Sequence, residues 1–176
     1  SLTENQLSEL PPEIKGLTQL QILTVDYNQL QTLPSEIGDL RELRDLMLSN
    51  NLLAELPAEM GNLSNLCRLN IKNNQIRELP DELGKLTKLD NVDTCDDYGW
   101  VDFNLDGNPL ISPPPEVIEQ GTPAILDYLN HEAEWHVRRL IGSGTTGIGL
   151  LVALILGLRW RMRRVTQKTK RKRDVA

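Results

Sequence analysis

Leu46-Met47-Leu48-Ser49-Asn50-Asn51-Leu52-Leu53-Ala54-Glu55-Leu56-Pro57-Ala58-Glu59-Met60-Gly61-Asn62-Leu63 decides the architecture, because it recurs. Its frame is Leu46-x-Leu48-x-x-Asn51-x-Leu53 followed by Leu56-Pro57-x-Glu59-Met60-Gly61-x-Leu63. Asparagine returns at Asn5, Asn28, Asn51 and Asn74, always at the same interval, misses its next beat at Asp97 and reappears at Asn108. A fixed period of about 23 residues specifies one short strand and one returning segment per unit.

No unit can bury its apolar side alone. Leu43, Leu46, Leu48, Leu53, Leu56 and Met60 must interlock with Leu20, Leu23, Val25, Leu30, Leu33 and Ile37 before them. Behind them lie Leu66, Leu69, Ile71, Ile76, Leu79 and Leu83, so stacking makes the core continuous. An asparagine side chain carries both donors and an acceptor, and at one turn per unit it can pair with otherwise unpaired backbone of adjacent coils. The ladder Asn5, Asn28, Asn51, Asn74 and Asn108 is therefore structural. Leu-Pro steps at Pro11, Pro34, Pro57 and Pro80 hold the preceding leucine extended and end the strand side.

The frame LPxEIGxLxxLxxLxLxxNxL resembles the 23-residue leucine-rich repeats of the Ras-interacting type and of bacterial Roco proteins, over residues 1 to about 130. The expected fold is α/β: a leucine-rich repeat solenoid, a curved parallel sheet with short helices or turns outside, plus a C-terminal helix and one transmembrane helix. Full repeats run over 17–39, 40–62 and 63–85, with a partial one at 1–16 and an irregular one from 86 to about 119. Since Leu2-Thr3-Glu4-Asn5 enters in mid-repeat, the chain reads as the C-terminal part of a longer array.

In the irregular repeat Leu86-x-x-Leu89-x-x-Val92 begins on schedule, but Thr94 and Asp97 stand where a leucine and the asparagine belong. Phe103-x-Leu105-x-x-Asn108 completes the frame late. An insertion of about residues 93–102, rich in Asp and bearing Tyr98, Gly99 and Trp100, cannot be packed inside the array and should loop out. Tyr98 and Trp100 make it a candidate recognition loop, against the plainer reading of a tolerated surface insertion. The alternating acids and closing Glu of a calcium loop are absent from it. Residues 107–129 resemble the segment that closes Roco-like arrays. Thr122 is placed to cap a helix, Pro123 to occupy its first turn, and Ile125, Leu126 and Leu129 to form an apolar face.

The net charge of −6 conceals two opposed parts. From Arg138 onward there are 11 Lys and Arg against one acid, Asp174, whereas residues 1–137 carry 8 basic and 24 acidic side chains, so +10 faces −16. Between them Leu140 to Leu158 is uncharged over 19 residues. As a helix it would span about 28 Å, close to the roughly 30 Å of a hydrocarbon core. Trp135 and Trp160 flank it as interfacial aromatics do. The expected organisation is thus repeats over 1–119, a capping and juxtamembrane helix over 120–139, a membrane helix over 140–158 and a basic tail over 159–176. Arg159, Arg161, Arg163, Arg164, Lys168, Lys170, Arg171, Lys172 and Arg173 would lie on anionic lipid headgroups, with the tail cytoplasmic and the repeats outside. Because only the short stretch 159–176 follows the span, a tail anchor with cytosolic repeats is the alternative. Small residues at Thr145, Gly149, Ala153 and Gly157 offer one stripe for helix association, and no nucleic-acid partner is expected.

Catalytic and cofactor patterns fail on spacing. Gly142-x4-Gly147 lacks the lysine and hydroxyl of a phosphate loop. His131 and His136 are five apart, about 140° around a helix instead of on one face. Cys67 and Cys95 form no CxxC pair, so zinc is not expected. A bridge between them is permitted, but Cys67 falls just before a strand, where a small buried apolar side chain accounts for it. Neither an enzyme, a cofactor nor a metal site is expected. What remains is the inner sheet face, Ile22, Thr24, Asp26 and Tyr27; Asp45, Met47 and Ser49; Arg68, Asn70 and Lys72, a mixed polar surface suited to a protein partner. The expected function is a membrane-anchored, non-enzymatic recognition module. The family resemblance permits a second one, a cytosol-facing scaffold for a small GTPase or signalling protein.

Overall fold

The computed structural model describes residues 1–89, 95 and 102–131. Residues Ser1–Asn130 form one compact unit, which holds every strand among the described residues. Four three-residue strands, β1 (Ile22–Thr24), β2 (Asp45–Met47), β3 (Arg68–Asn70) and β4 (Asp102–Asn104), make one parallel sheet in sequence order. Register follows the repeat. Leu23 sits opposite Leu46, Leu46 opposite Leu69, and Leu69 opposite Phe103. The first two steps equal the repeat period and the third is longer, so the insertion lengthens the chain without shifting the pairing.

Opposite the strands lie four 3-10 helices, Pro12–Gly16, Ser35–Asp39, Ala58–Asn62 and Asp81–Lys85. Each is preceded by a proline in extended conformation, Pro11, Pro34, Pro57 or Pro80. The proline has no N–H to donate, but its carbonyl starts the helix by accepting from the residue three on: Ile14, Ile37, Met60 and Leu83 at 3.0 to 3.1 Å. The period-three bonds continue through Leu40, Leu63 and Leu86 into Leu43, Leu66 and Leu89. Every third residue thus points the same way, which is inward. Leu40, Leu43, Leu46, Leu48, Leu53, Met60, Leu63, Leu66 and Leu69 are all fully buried.

The asparagines tie coil to coil. Asn51 donates from Nδ2 to the Val25 and Leu48 carbonyls, both at 3.0 Å, and its Oδ1 accepts from the Leu30 N–H at 3.0 Å. Asn74 repeats this one coil later with Leu48, Ile71 and Leu53. Asn108 takes the same places, bonding Ile71, Leu105 and the Ile76 N–H, although it lies 32 residues from Ile76 where its predecessors span 21. Asn28 bonds Leu2, Val25 and the Leu7 N–H, whereas Asn5 bonds only its own coil, at Leu2 and Thr3. A side-chain amide serving three backbone groups at once is favoured because each of those groups, left buried and unpaired, would cost about 1–3 kcal/mol.

The array is closed by α1 (Pro115–Ile118) and by α2, helical over residues 122–131. Ile125, Leu126 and Leu129 are buried as the apolar pattern predicts, and Tyr128 joins them at 2% exposure with its hydroxyl 3.3 Å from Ser112 Oγ. The start of α2 differs from the sequence expectation. The Ile125 N–H reaches the Gly121 carbonyl at 3.2 Å, so Gly121, at φ +87°, is the capping residue and Thr122 already lies in the first turn. Glycine tolerates that left-handed backbone where threonine would be strained.

A second correction concerns the cysteines. Cys67 and Cys95 are joined by a disulfide, with Cα atoms 5.6 Å apart. Treating Cys67 as a lone apolar filler misses this, because the partner lies in the insertion, off the repeat register. Among the described residues no helix is long and apolar enough to cross a membrane. The segment 140–158, its Thr145, Gly149, Ala153 and Gly157 stripe, and the basic residues from Arg159 to Arg173 lie outside the described residues, as do Tyr98 and Trp100.

Candidate protein-interaction surface

With leucines on the core side, the alternate residues of each strand form rows across the open face of the sheet. The first row is Ile22, Asp45 and Arg68, continuing in register to Asp102. Ile22 is 58% exposed. Asp45 is only 4% exposed, because the Arg68 guanidinium lies along it: Nε donates to Oδ1 at 2.6 Å and Nη2 pairs with Oδ2. A fork-on-carboxylate contact of this kind fixes the arginine plane as well as its charge.

The second row is Thr24, Met47, Asn70 and Asn104, all half-buried. Asn70 Oδ1 accepts from the Lys72 N–H, and Asn104 Oδ1 from the Asp106 N–H, each at 3.1 Å. Both amides therefore use their oxygens to shape their own turns. Beyond the strands comes a third row, Asp26, Ser49, Lys72 and Asp106. Asp26 Oδ1 accepts from the Ser49 N–H at 2.7 Å and from its hydroxyl at 2.6 Å. Ser49 is buried as a result, whereas Lys72 and Asp106 are exposed.

A fourth row is conformationally unusual. Tyr27, Asn50 and Asn73 have φ of 55°, 56° and 54°, and Gly107 has 70°. Each immediately precedes a ladder asparagine, and Glu4 before Asn5 does the same at 57°. This left-handed kink turns the chain off the strand so that the next residue can reach the ladder. Asparagine and glycine adopt it readily, tyrosine does not. Asn73 Nδ2 donates to Asn50 Oδ1 at 2.9 Å, making a second, exposed amide ladder. Tyr27 stands at the same position, 56% exposed.

Of the candidate binding residues, Thr24, Asp26, Tyr27, Asp45, Met47, Ser49, Arg68, Asn70 and Lys72 share this face, but Asp45 and Ser49 are buried in it and act on their neighbours. Asn50, Asn73, Asn104 and Asp106 belong to the face although the sequence reading does not select them. Their signal lies in the chain, at the residue before each ladder asparagine and in the delayed frame around Phe103 and Leu105. Among the described residues no group of three His, Cys, Asp or Glu side chains is placed to hold a metal ion.

Stacked single-strand coils tied by buried asparagines and closed by a helix define a leucine-rich repeat solenoid. The chain belongs to the leucine-rich repeat family: residues 1–89 match its leucine-rich repeat region. A solved leucine-rich repeat protein of Leptospira interrogans is similar at 37% identity over 69% of this chain and 28% of its own, with a TM-score of 0.58. The ectodomain of the plant membrane receptor kinase GASSHO1/SCHENGEN3 from Arabidopsis thaliana, solved with Casparian strip integrity factor 2, is similar at 33% identity. That match covers 61% of this chain and 12% of the ectodomain, with a TM-score of 0.50. The match therefore spans less than a third of either solved chain. No curated protein matches it. The fold is that of a protein-binding scaffold.

Proposed function

We propose that this chain is a membrane-anchored recognition module that binds a protein ligand on the open sheet face, outside the cytoplasm. The observation that carries the binding face is Tyr27. An exposed aromatic is held in a left-handed backbone at a position where the next coils use asparagine and glycine. An aromatic in a conformation that asparagine or glycine would adopt more readily, exposed on the open face, is a reason to look for a contact partner. Ile22, five residues before it and 58% exposed, adds an apolar contact on the same face. The plant ectodomain, solved with a bound factor, supports a protein ligand by analogy of fold.

Location is supported by two independent features. The uncharged stretch 140–158, followed by nine Lys and Arg, favours a single span with a cytoplasmic tail. The disulfide favours an oxidising compartment for the repeats, since such bonds rarely persist in the cytosol. It weighs against the second reading, the cytosolic GTPase scaffold suggested by the Ras-interacting and Roco-like frame. Protease treatment of intact cells tests the placement: the repeats should be cleaved and the tail protected. Protected repeats with a cleaved tail reverse the orientation, and retention of a purified small GTPase on the repeats would then favour the scaffold.

A further inference from the structure

The Cys67–Cys95 bridge sits at the one place where the array departs from its period. Between Leu89, the last leucine on schedule, and Asp102, which opens β4, the chain needs 12 residues where a regular coil needs one. Closing a longer connection costs more chain entropy, and the cost falls on whatever lies beyond it. Beyond it lie β4, the last ladder residue Asn108 and the closing helices. These meet the preceding coil through the Ile71 N–H to Asn104, the Asn73 N–H to Asp106, Asn108 to Ile71 and Ile76, the Leu79 N–H to Ser112, and Asn130 to Gly84. Cys95 divides the connection into runs of five and six residues and fixes its midpoint to Cys67, the residue before β3.

We infer that the disulfide is a redox-sensitive lock on the last part of the recognition face. While it is intact, β4 and the cap stay docked on β3; when it is reduced, residues 102–131 open as a unit and the earlier coils keep their structure. A stack in which each repeat touches only its neighbours allows such partial opening. The chemistry needs a dithiol. One thiolate attacks a sulfur of the bridge, breaking the S–S bond and forming a mixed disulfide. The second thiolate then displaces the protein sulfur, so the dithiol leaves oxidised and Cys67 and Cys95 end as two thiols, having gained two electrons and two protons. Both sulfurs belong to buried residues, Cys67 at 5% and Cys95 at 1% exposure, so attack follows a local opening, and the lock is stable until a reductant is supplied.

Hydrogen–deuterium exchange of the full chain in detergent, before and after dithiothreitol, tests this, with the Cys67→Ala/Cys95→Ala double variant measured alongside. The expected result is exchange on the order of 100-fold faster within residues 102–131 and less than about 2-fold changed within 20–66. Faster exchange spread evenly along the array, a double variant that is unfolded throughout, or unchanged protection of 102–131 in both reduced protein and variant each overturns it. If the wild type resists dithiothreitol, the double variant decides alone.

Discussion

Asn130 donates from Nδ2 to the Gly84 carbonyl at 2.6 Å, and a Cβ added to Gly84 would lie 2.8 to 2.9 Å from the Asn130 side chain and N–H. One coil earlier, Gly61 faces the Glu82 backbone of the following repeat in the same manner. Helix α2 has therefore taken the position of the next coil, and Asn130 replaces that coil's backbone. Asn130→Ala should cost about 0.5–1.5 kcal/mol by urea unfolding. Gly84→Ala should cost about 1–3 kcal/mol, since the added Cβ crowds the Asn130 N–H and an Asn130 side chain that its bond to the Gly84 carbonyl holds in place.

Ladder asparagines should differ by position. Asn51→Ala strands the Leu30 N–H in the core and takes one of two amide donors from each of the Val25 and Leu48 carbonyls, which keep Asn28 and Asn74, and a loss of about 1–3 kcal/mol is expected. Asn5→Ala removes only exposed bonds within its own coil and should stay within about 0.5 kcal/mol of wild type. Equal urea midpoints for the two variants would refute the assignment of the ladder as an inter-coil tie.

Arg68→Ala takes away both the partner of the Asp45 carboxylate and the side chain that covers it. Arg68 is itself 30% exposed along its side chain, so the loss should be about 1–3 kcal/mol, below the roughly 3–5 kcal/mol typical of a wholly buried pair. A double-mutant cycle with Asp45→Asn should return a coupling of about 1–2 kcal/mol. A coupling near zero means that the two groups merely coincide.

Tyr27→Asn should stabilise the fold, by about 0.5–1 kcal/mol, because asparagine accepts the left-handed backbone more readily. The same change should weaken ligand binding if the open face is the recognition surface. A variant more stable yet unaltered in binding, measured by titration against the ligand once that is known, would remove Tyr27 from the site.

Legibility followed periodicity. Leucines, prolines and asparagines recur at one interval, and a strict period dictates which side chains lie in register, so core and ladder could be read residue by residue. The Asp45–Arg68 pair was open to the same logic, being one period apart and hence neighbours across strands. Features off the period were not. Cys95 lies in the insertion, where sequence spacing no longer measures spatial distance, so its bond to Cys67 had no visible warrant. The left-handed row is periodic, but Glu4, Tyr27, Asn50 and Asn73 share a backbone conformation and no side-chain type, and composition does not report φ. Gly121 took the capping place expected of Thr122 for a similar reason.

Because register survives both the regular step between strands and the longer one that carries the insertion, array length is an evolvable quantity separate from what the array carries. Excising residues 40–62 would bring Asn74 beside Val25 as Asn51 now stands, so its ladder bonds would re-form with an equivalent carbonyl. The bridged insertion and the closing helices would remain on the coil they already occupy. The lost contacts would be those peculiar to one coil, Asp26 with Ser49, Asp45 with Arg68 and Asn50 with Asn73. A lineage could thus lengthen or shorten this protein by whole units and rewrite its surface, while the end nearest the proposed anchor is inherited unchanged.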